Sequence, residues 1–306
     1  MLHMMKNLLL YLSSNRIANK AAKKFGRRLG ADRFVAGDTL NQAIDVVKQL
    51  NSQGLRVTLD HLGEFVTDPA EADQAADEVI ATIDAIAAAK AEANVSLKLT
   101  QLGLDLSYDE CFKRMKRIVA RAVEQNVFVR MDMEDYARNE ATIRMYEALD
   151  DVYSPHIGIV IQAYLYKAGE DMTRLKQRQP NYRLVKGAYK EATTVAYEHK
   201  TDVDENFKQL IFAHLANGHY AAVATHDEAI IQATKEHAKQ HHIPVTQFEF
   251  QMLYGIRTAL QHALVKEGYP VRVYVPYGVD WYGYFMRRMA ERPENLTFVL
   301  KSMAKK

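Results

Sequence analysis

Short runs of β-branched and aliphatic residues recur along the chain. They are "LRVTLD" (55–60), "VSLKLT" (95–100), "VFVRMD" (127–132), "IGIVIQ" (157–162), "YRLVKG" (182–187), "YAAVATH" (220–226), "TQFEFQ" (246–251) and "VRVYVP" (271–276). Helical patterns fill most of the gaps. "PAEADQAADEVIATIDAIAAAKAE" is alanine-rich with its acids early, as a helix start prefers, and "YDECFKRMKRIVARAVEQN" and "DEAIIQATKEHAKQH" are built from good helix formers. Strands alternating with helices predict a parallel sheet. Eight such units favour an α/β fold of the (βα)8 TIM type over an open doubly wound sheet. Residues 1–54 read as a polar helical lead-in, broken at "GADRFVAGD", and 55–306 as the barrel with a C-terminal helix. No Pro- or Ser-rich linker interrupts them, so 1–306 is expected to be one domain.

A length of 306 residues suits one barrel of this kind. The net charge of +2 gives no general attraction for nucleic acid. Cys111, the single cysteine, has no partner for an internal disulfide, which fits a reducing cytoplasm. Neither a GxGxxG fingerprint nor a GxxxxGK[ST] loop is present, which removes the main support for a Rossmann or P-loop reading.

The opening "MLHMMKNLLLYLSSNR" has an apolar stretch too short for a signal-peptide core, and no run reaches the roughly 18 residues that span a bilayer. The first 30 residues hold Lys6, Arg16, Lys20, Lys23, Lys24, Arg27 and Arg28 and no acid. Such a helix either lies on an anionic membrane or packs on the barrel with a solvated basic face; the second reading is the simpler one.

Barrel active sites are built at the C-terminal ends of the strands. The expected strands carry Asp60 with Glu64 beyond it, Lys98, Asp132, Gln162, Arg183 with Lys186-Gly187-Ala188-Tyr189, Thr225-His226-Asp227, Glu249 with Gln251, and Tyr274 with Tyr277 and Gly278. An unpaired buried ion costs several kcal/mol, so this much charge converging on one rim predicts a site rather than scattered barrel ion pairs. His241-His242 lack ligand spacing and read as surface residues. With no HExxH and no Cys/His cluster, no metal site is expected. Lys98 or Lys186 could instead serve as a Schiff-base lysine, which leaves a barrel aldolase as one alternative and a non-catalytic amino-acid-binding barrel as another.

Past the last strand, "GVDWYGYFMRRMAERPEN" reads as a helix with Asp280 as N-cap and Pro293 as its end. Tyr284 stands three residues before Arg287 and four before Arg288, and Glu291 is within reach of both. Paired guanidinium forks beside an aromatic ring suit a carboxylate ligand. A surface Arg–Glu ladder is the plainer reading.

"YFMRRMAERPEN" resembles the Y-x-x-R-R-x-x-E-x-x-x-N signature of the proline dehydrogenase family. "VSLKLTQLG", "RMDMED", "IQAYL", "RLVKGAY", "ATHD" and "YVPYG" are similar to that family's motifs in the same order, over roughly residues 55–300. The length resembles the monofunctional enzymes.

The resemblance implies a distorted (βα)8 barrel with FAD over the strand ends and L-proline as substrate. It implies that Arg287 and Arg288 grip the proline carboxylate with help from Lys98, and that Tyr274, Tyr284 and Leu253 wall the ring. Arg183 is implied to sit near the flavin nitrogen that accepts hydride, with Asp132 holding the charges around Lys98. Met133, Gln162, Arg183, Lys186, Gly187, Ala188, Thr225 and His226 are implied FAD contacts. Glu64 resembles a gate acid, and Glu291 and Tyr189 are supporting residues. A quinone acceptor, peripheral contact at the inner face of the membrane through the basic helix, and a pyrroline-5-carboxylate dehydrogenase as the next enzyme follow from the same likeness.

Overall fold

A computed structural model describes residues 31–291, with side chains described for 32–286. The expected basic helix within 1–30, Pro293, and the side chains of Arg287, Arg288 and Glu291 lie outside the described residues.

Eight parallel strands close into a barrel in chain order. They are β1 (Arg56–His61), β2 (Ala93–Leu97), β3 (Val129–Met131), β4 (Ile157–Gln162), β5 (Tyr182–Val185), β6 (Ala221–Ala224), β7 (Phe248–Leu253) and β8 (Val271–Tyr277). Closure is by β1 against β8, in the register Arg56↔Arg272 through His61↔Tyr277.

Helix α1 (Leu40–Asn51) precedes the barrel. Then α2 (Pro69–Ala88), α3 (Tyr108–Glu124), α4 (Tyr136–Tyr153), α5 (Ala168–Leu175), α6 (Lys200–Ala216), α7 (Glu228–Gln240), α8 (Thr258–Lys266) and α9 (Trp281–Glu291) each follow a strand. The helical ring is uneven: α2 has 20 residues, but α5 has 8 and α8 has 9.

Helix starts follow their local chemistry. Asp68, Ser107, Asp135 and Asp227 cap α2, α3, α4 and α7 by accepting backbone N–H bonds, and Thr39 with Gln42 forms a capping box on α1.

The period-two alternation of the strands sorts the side chains by chemistry. Val57, Leu59, Val95, Leu97, Ile159, Ile161, Val223, Phe250 and Val273 belong to the hydrophobic core shared with the helices. The alternate positions carry Thr58, Ser96, Arg130, Arg183, Glu249, Gln251 and Arg272, most of them buried, with Tyr274 in the same register. The apolar core is therefore the annulus between strands and helices, and the inside of the barrel is polar.

The strands stop slightly short of the expected runs. Lys98, Asp132, Lys186 and Thr225 are each the first residue past β2, β3, β5 and β6. Release from the ladder frees these side chains to converge at the C-terminal mouth. His241 and His242 are exposed, as the sequence predicts.

Candidate active site

Asp132 is the hub of the mouth. Its Oδ1 accepts from Arg183 Nη1 at 2.7 Å and from Ser96 Oγ at 2.6 Å. Its Oδ2 accepts from Tyr274 OH at 3.0 Å and lies 3.6 Å from Lys98 Nζ. Lys98 Nζ also donates to Asp60 Oδ2 at 3.2 Å. Arg183 stands over the Tyr274 ring, 5.2 Å from its centroid, and its Nε donates to Gln251 Oε1 at 2.7 Å. Strands β1, β2, β5, β7 and β8 and the residue just past β3 each contribute at least one of these groups, which only a closed barrel brings together.

The charges sort by environment. Burial pushes the Asp132 carboxyl upward, but Arg183 and then Lys98 outweigh it and hold Asp132 below its ordinary range. Burial dominates at Asp60 and raises it despite Lys98. Burial alone would depress the Lys98 ammonium; Asp60, followed by Tyr274, Asp132 and Glu64, holds it well above an ordinary lysine. Burial, then Asp132 and Asp60, keep the Tyr274 phenol far above its usual range, so it stays a donor. The result is a fixed ammonium and guanidinium gathered around the Asp132 carboxylate, with Asp60 on the far side of Lys98.

Of these groups, Lys98, Asp132, Arg183, Gln251 and Tyr274 line a cavity of about 400 Å³. Lys98, Asp132, Met133, Gln162, Arg183, Lys186, Gly187, Ala188, Tyr189, Thr225, His226, Leu253 and Tyr274 all contribute to its wall. Two polar atoms of these lining residues are buried without a hydrogen-bond partner among the described residues: Arg183 Nη2, a donor, and Gln162 Oε1, an acceptor. Gln162 Nε2 donates to Glu134 O at 3.1 Å and Met133 O at 3.4 Å, so the oxygen is the end left over. Gly187 has φ +115°, and a Cβ there would lie 2.3 Å from the Tyr164 ring, so the backbone passes where no side chain fits.

A second cavity of about 410 Å³ continues from the first through Lys186, Thr225 and His226 and adds Lys200, Asp227 and Arg257. Lys186 Nζ sits between Asp204 at 2.5 Å and Asp227 at 2.8 Å. His226 Nε2 accepts from Leu253 N–H at 3.0 Å.

Other expected site residues fall elsewhere. Tyr284 does not line the cavity; it is buried in a cluster with Phe34, Trp281 and Phe285, against which the cavity residue Leu253 packs. Glu64 is half-buried in the loop after β1. Asp60 and its neighbours hold the Lys98 ammonium well above an ordinary lysine, away from the neutral amine that Schiff-base chemistry requires, which counts against an aldolase reading at Lys98. Among the described residues no group of His, Cys, Asp or Glu is arranged to hold a metal ion.

The sequence reading missed Ser96 and Glu134 as site groups. Ser96 stands two residues before Lys98 on β2, a spacing that puts both on one strand face. Glu134 is buried, donates nothing, and accepts from Thr100 Oγ1 at 2.5 Å and Thr100 N at 3.0 Å. Thr100 in turn holds the loop after β1 by accepting from Phe65 N at 3.2 Å.

A family model described as proline dehydrogenase matches residues 43–301. The chain is 50% identical over 303 residues to "Proline dehydrogenase 1" of Bacillus subtilis strain 168, covering 99% of this chain and 100% of that one. It is 46% identical over 279 residues to "Proline dehydrogenase" of Deinococcus radiodurans, covering 90% of each. Among solved structures, proline utilization A from Bdellovibrio bacteriovorus is similar, with a TM-score of 0.79 and 27% identity over 85% of this chain. This chain spans 32% of the length of that larger protein.

Proposed function

The chain belongs to the proline dehydrogenase family, and from that premise we propose how its residues carry out proline oxidation. The enzyme is a flavoprotein oxidoreductase that opens proline catabolism. A bound flavin would supply the acceptor for a hydride from the proline ring carbon next to nitrogen, and with the proton of that nitrogen lost to solvent the product is 1-pyrroline-5-carboxylate.

The observation that carries the residue assignments is the network of Lys98, Asp132, Arg183 and Tyr274 on the wall of one cavity. Proline oxidation needs orientation and a favourable charge field more than an acid–base relay. Lys98 supplies a fixed positive charge toward the substrate carboxylate, with Arg287 and Arg288 as its clamp. Tyr274 and Leu253 wall the apolar ring, and Tyr284 acts from behind, in the cluster against which Leu253 packs. Arg183 stabilises the negative charge that accumulates as hydride is transferred. Asp132 keeps both cations in place. Glu64 gates the entrance, Glu291 steadies the arginine pair, and Tyr189 is a supporting residue.

The form of flavin is proposed to be FAD. The leftover donor of Arg183 and acceptor of Gln162 fit the polar edge of a flat ring, and the Gly187 backbone allows close approach. The second cavity, where Lys186, Lys200 and Arg257 pair with Asp227 and Glu228, extends the first and gives room for the remainder of a dinucleotide that a mononucleotide would not need. Met133, Ala188, Thr225 and His226 complete the contact surface. Electrons are proposed to leave to a quinone, and the product to pass to a pyrroline-5-carboxylate dehydrogenase. Among the described residues no helix is long and apolar enough to cross a membrane. A cytoplasmic protein touching the membrane through the basic segment 1–30 is consistent with that. One domain over 1–306 is part of the same proposal.

The test is an absorbance spectrum of purified protein before and after adding L-proline without oxygen. A yellow protein bleached by proline is expected, and chromatography of the released flavin should give FAD. A protein that stays colourless after incubation with FAD overturns the reading.

A further inference from the structure

Arg183 is held by more than Asp132. Its Nε donates to Gln251 Oε1 at 2.7 Å, and Gln251 Nε2 donates to Glu249 Oε1 at 2.7 Å. Glu249 is 2% exposed and accepts from Arg272 Nε at 2.7 Å, while Arg272 Nη1 donates to Val57 O at 2.8 Å. Arg56 approaches the other Glu249 oxygen at 3.6 Å. A continuous chain of bonds thus runs from the closing β8–β1 seam up the inside of the barrel to the guanidinium at its mouth.

An amide can face either way, and its two ends look alike in shape. Turned over, Gln251 would present its NH2 to the Arg183 N–H, donor against donor. Glu249 forbids that orientation, because an ionised carboxylate only accepts. Burial opposes ionisation of Glu249, but Arg272 outweighs it and holds the carboxyl at about 2. So Glu249 selects the amide orientation, and the amide oxygen fixes Arg183 Nε. With Nε and Nη1 both committed, Nη2 is the donor of this cavity-lining side chain left without a partner among the described residues.

We propose that Gln251 and Glu249 are positioning residues for Arg183, Glu249 acting through the Gln251 amide to aim the free guanidinium edge at the bound flavin. This rests on the reading that Arg183 lies against the flavin. It goes beyond that reading by assigning the aim of Arg183 to two residues on β7 below the mouth.

The test compares wild type, Gln251→Met, Glu249→Gln and the double variant as flavin-loaded proteins. The readouts are the midpoint potential of the bound flavin, kcat and KM for proline, with a thermal melt as control. Gln251→Met keeps both arginines paired with Glu249 and fills similar volume. It is expected to bind flavin, to show a more negative potential, and to lose on the order of tenfold to a hundredfold in kcat, as losing a hydrogen bond to a charged group implies. KM should stay within about twofold, since the substrate contacts remain. Glu249→Gln should shift the potential in the same direction but add nothing in the Gln251→Met background, whereas two independent packing effects would add. If Glu249→Gln does not fold, Gln251→Met alone decides. A wild-type potential and kcat in Gln251→Met, or full additivity in the double variant, overturns the proposal. A wild type that binds no flavin, or whose flavin proline does not reduce, overturns the functional reading instead.

Discussion

Arg183 reaches Asp132 from two strands away, β5 to β3, at 2.7 Å, with Arg183 buried and Asp132 largely so. Breaking a buried pair from one side costs about 3–5 kcal/mol because the partner charge stays behind. Here the abandoned charges would be two, since Lys98 also leans on Asp132.

Asp132→Asn is therefore expected to lower kcat/KM for proline by more than about a hundredfold and to lower the melting temperature. The amide keeps the shape but offers one acceptor where the carboxylate serves four neighbours. Steady-state kinetics and a thermal melt check this; near-wild-type kcat/KM would remove Asp132 from the hub role.

Glu134 gives a pH signature. Burial raises its carboxyl from 4.5 to about 7, against the opposing bonds from Thr100. The folded state then binds a proton more tightly than the unfolded chain does. Between about pH 4.5 and 7 the unfolded state holds fewer protons, so stability falls as pH rises through that window and levels off above it. Glu134→Gln imitates the protonated form, with an oxygen for Thr100 N–H and an NH2 for Thr100 Oγ1. Its melting temperature relative to wild type should rise steadily from pH 5 to pH 8. A difference that does not change with pH would contradict the assignment. Because Thr100 holds Phe65, itself at φ +53°, the loop carrying Glu64 should loosen over the same range.

Much of this site was readable from the chain because parallel strands in a barrel all end on one face. Once eight runs were recognised, Lys98, Asp132, Gln162, Arg183 and Tyr274 had to meet near one mouth. What could not be read was pairing at long separation. Ser96 and Asp132 are 36 residues apart, Arg183 and Gln251 are 68 apart, and only closure of the barrel sets their register. Side-chain direction was hidden too. Glu134 follows Asp132 by two residues in "RMDMED" but leaves the strand and turns to Thr100 instead of the cavity. Tyr284 is a ring-wall residue by family resemblance alone; nothing in its spacing reveals that its described neighbours are Phe34, Trp281 and Phe285.

The arginine pair on α9 is tested by substitution. Arg287→Met and Arg288→Met keep helix propensity and stem length while removing the fork. Each is expected to raise KM for proline by roughly tenfold to a hundredfold, the value of a charge-assisted hydrogen bond, with flavin content unchanged. Unchanged KM in both variants would sink the carboxylate clamp and return the pair to a surface ladder with Glu291.

Gly187 separates the cofactor role from the substrate role. At φ +115° an L side chain is strained, and its Cβ would lie 2.3 Å from Tyr164 Cδ1, whose ring is buried. Two costs therefore combine in Gly187→Ala: backbone strain of order 1–3 kcal/mol and displacement of a packed ring. The least costly response is for the Lys186–Ala188 segment to move, and that segment lines both cavities at Lys186. Purified Gly187→Ala is expected to carry less than about a tenth of the wild-type flavin at equal protein, the consequence of losing a few kcal/mol at the site. Shrinking the ring with Tyr164→Leu in the same chain relieves the clash but not the φ strain, so flavin content should recover only in part. Full flavin content in Gly187→Ala would show that this backbone does not contact the cofactor. A loss rescued completely by Tyr164→Leu would assign the whole effect to the ring and none to the left-handed turn.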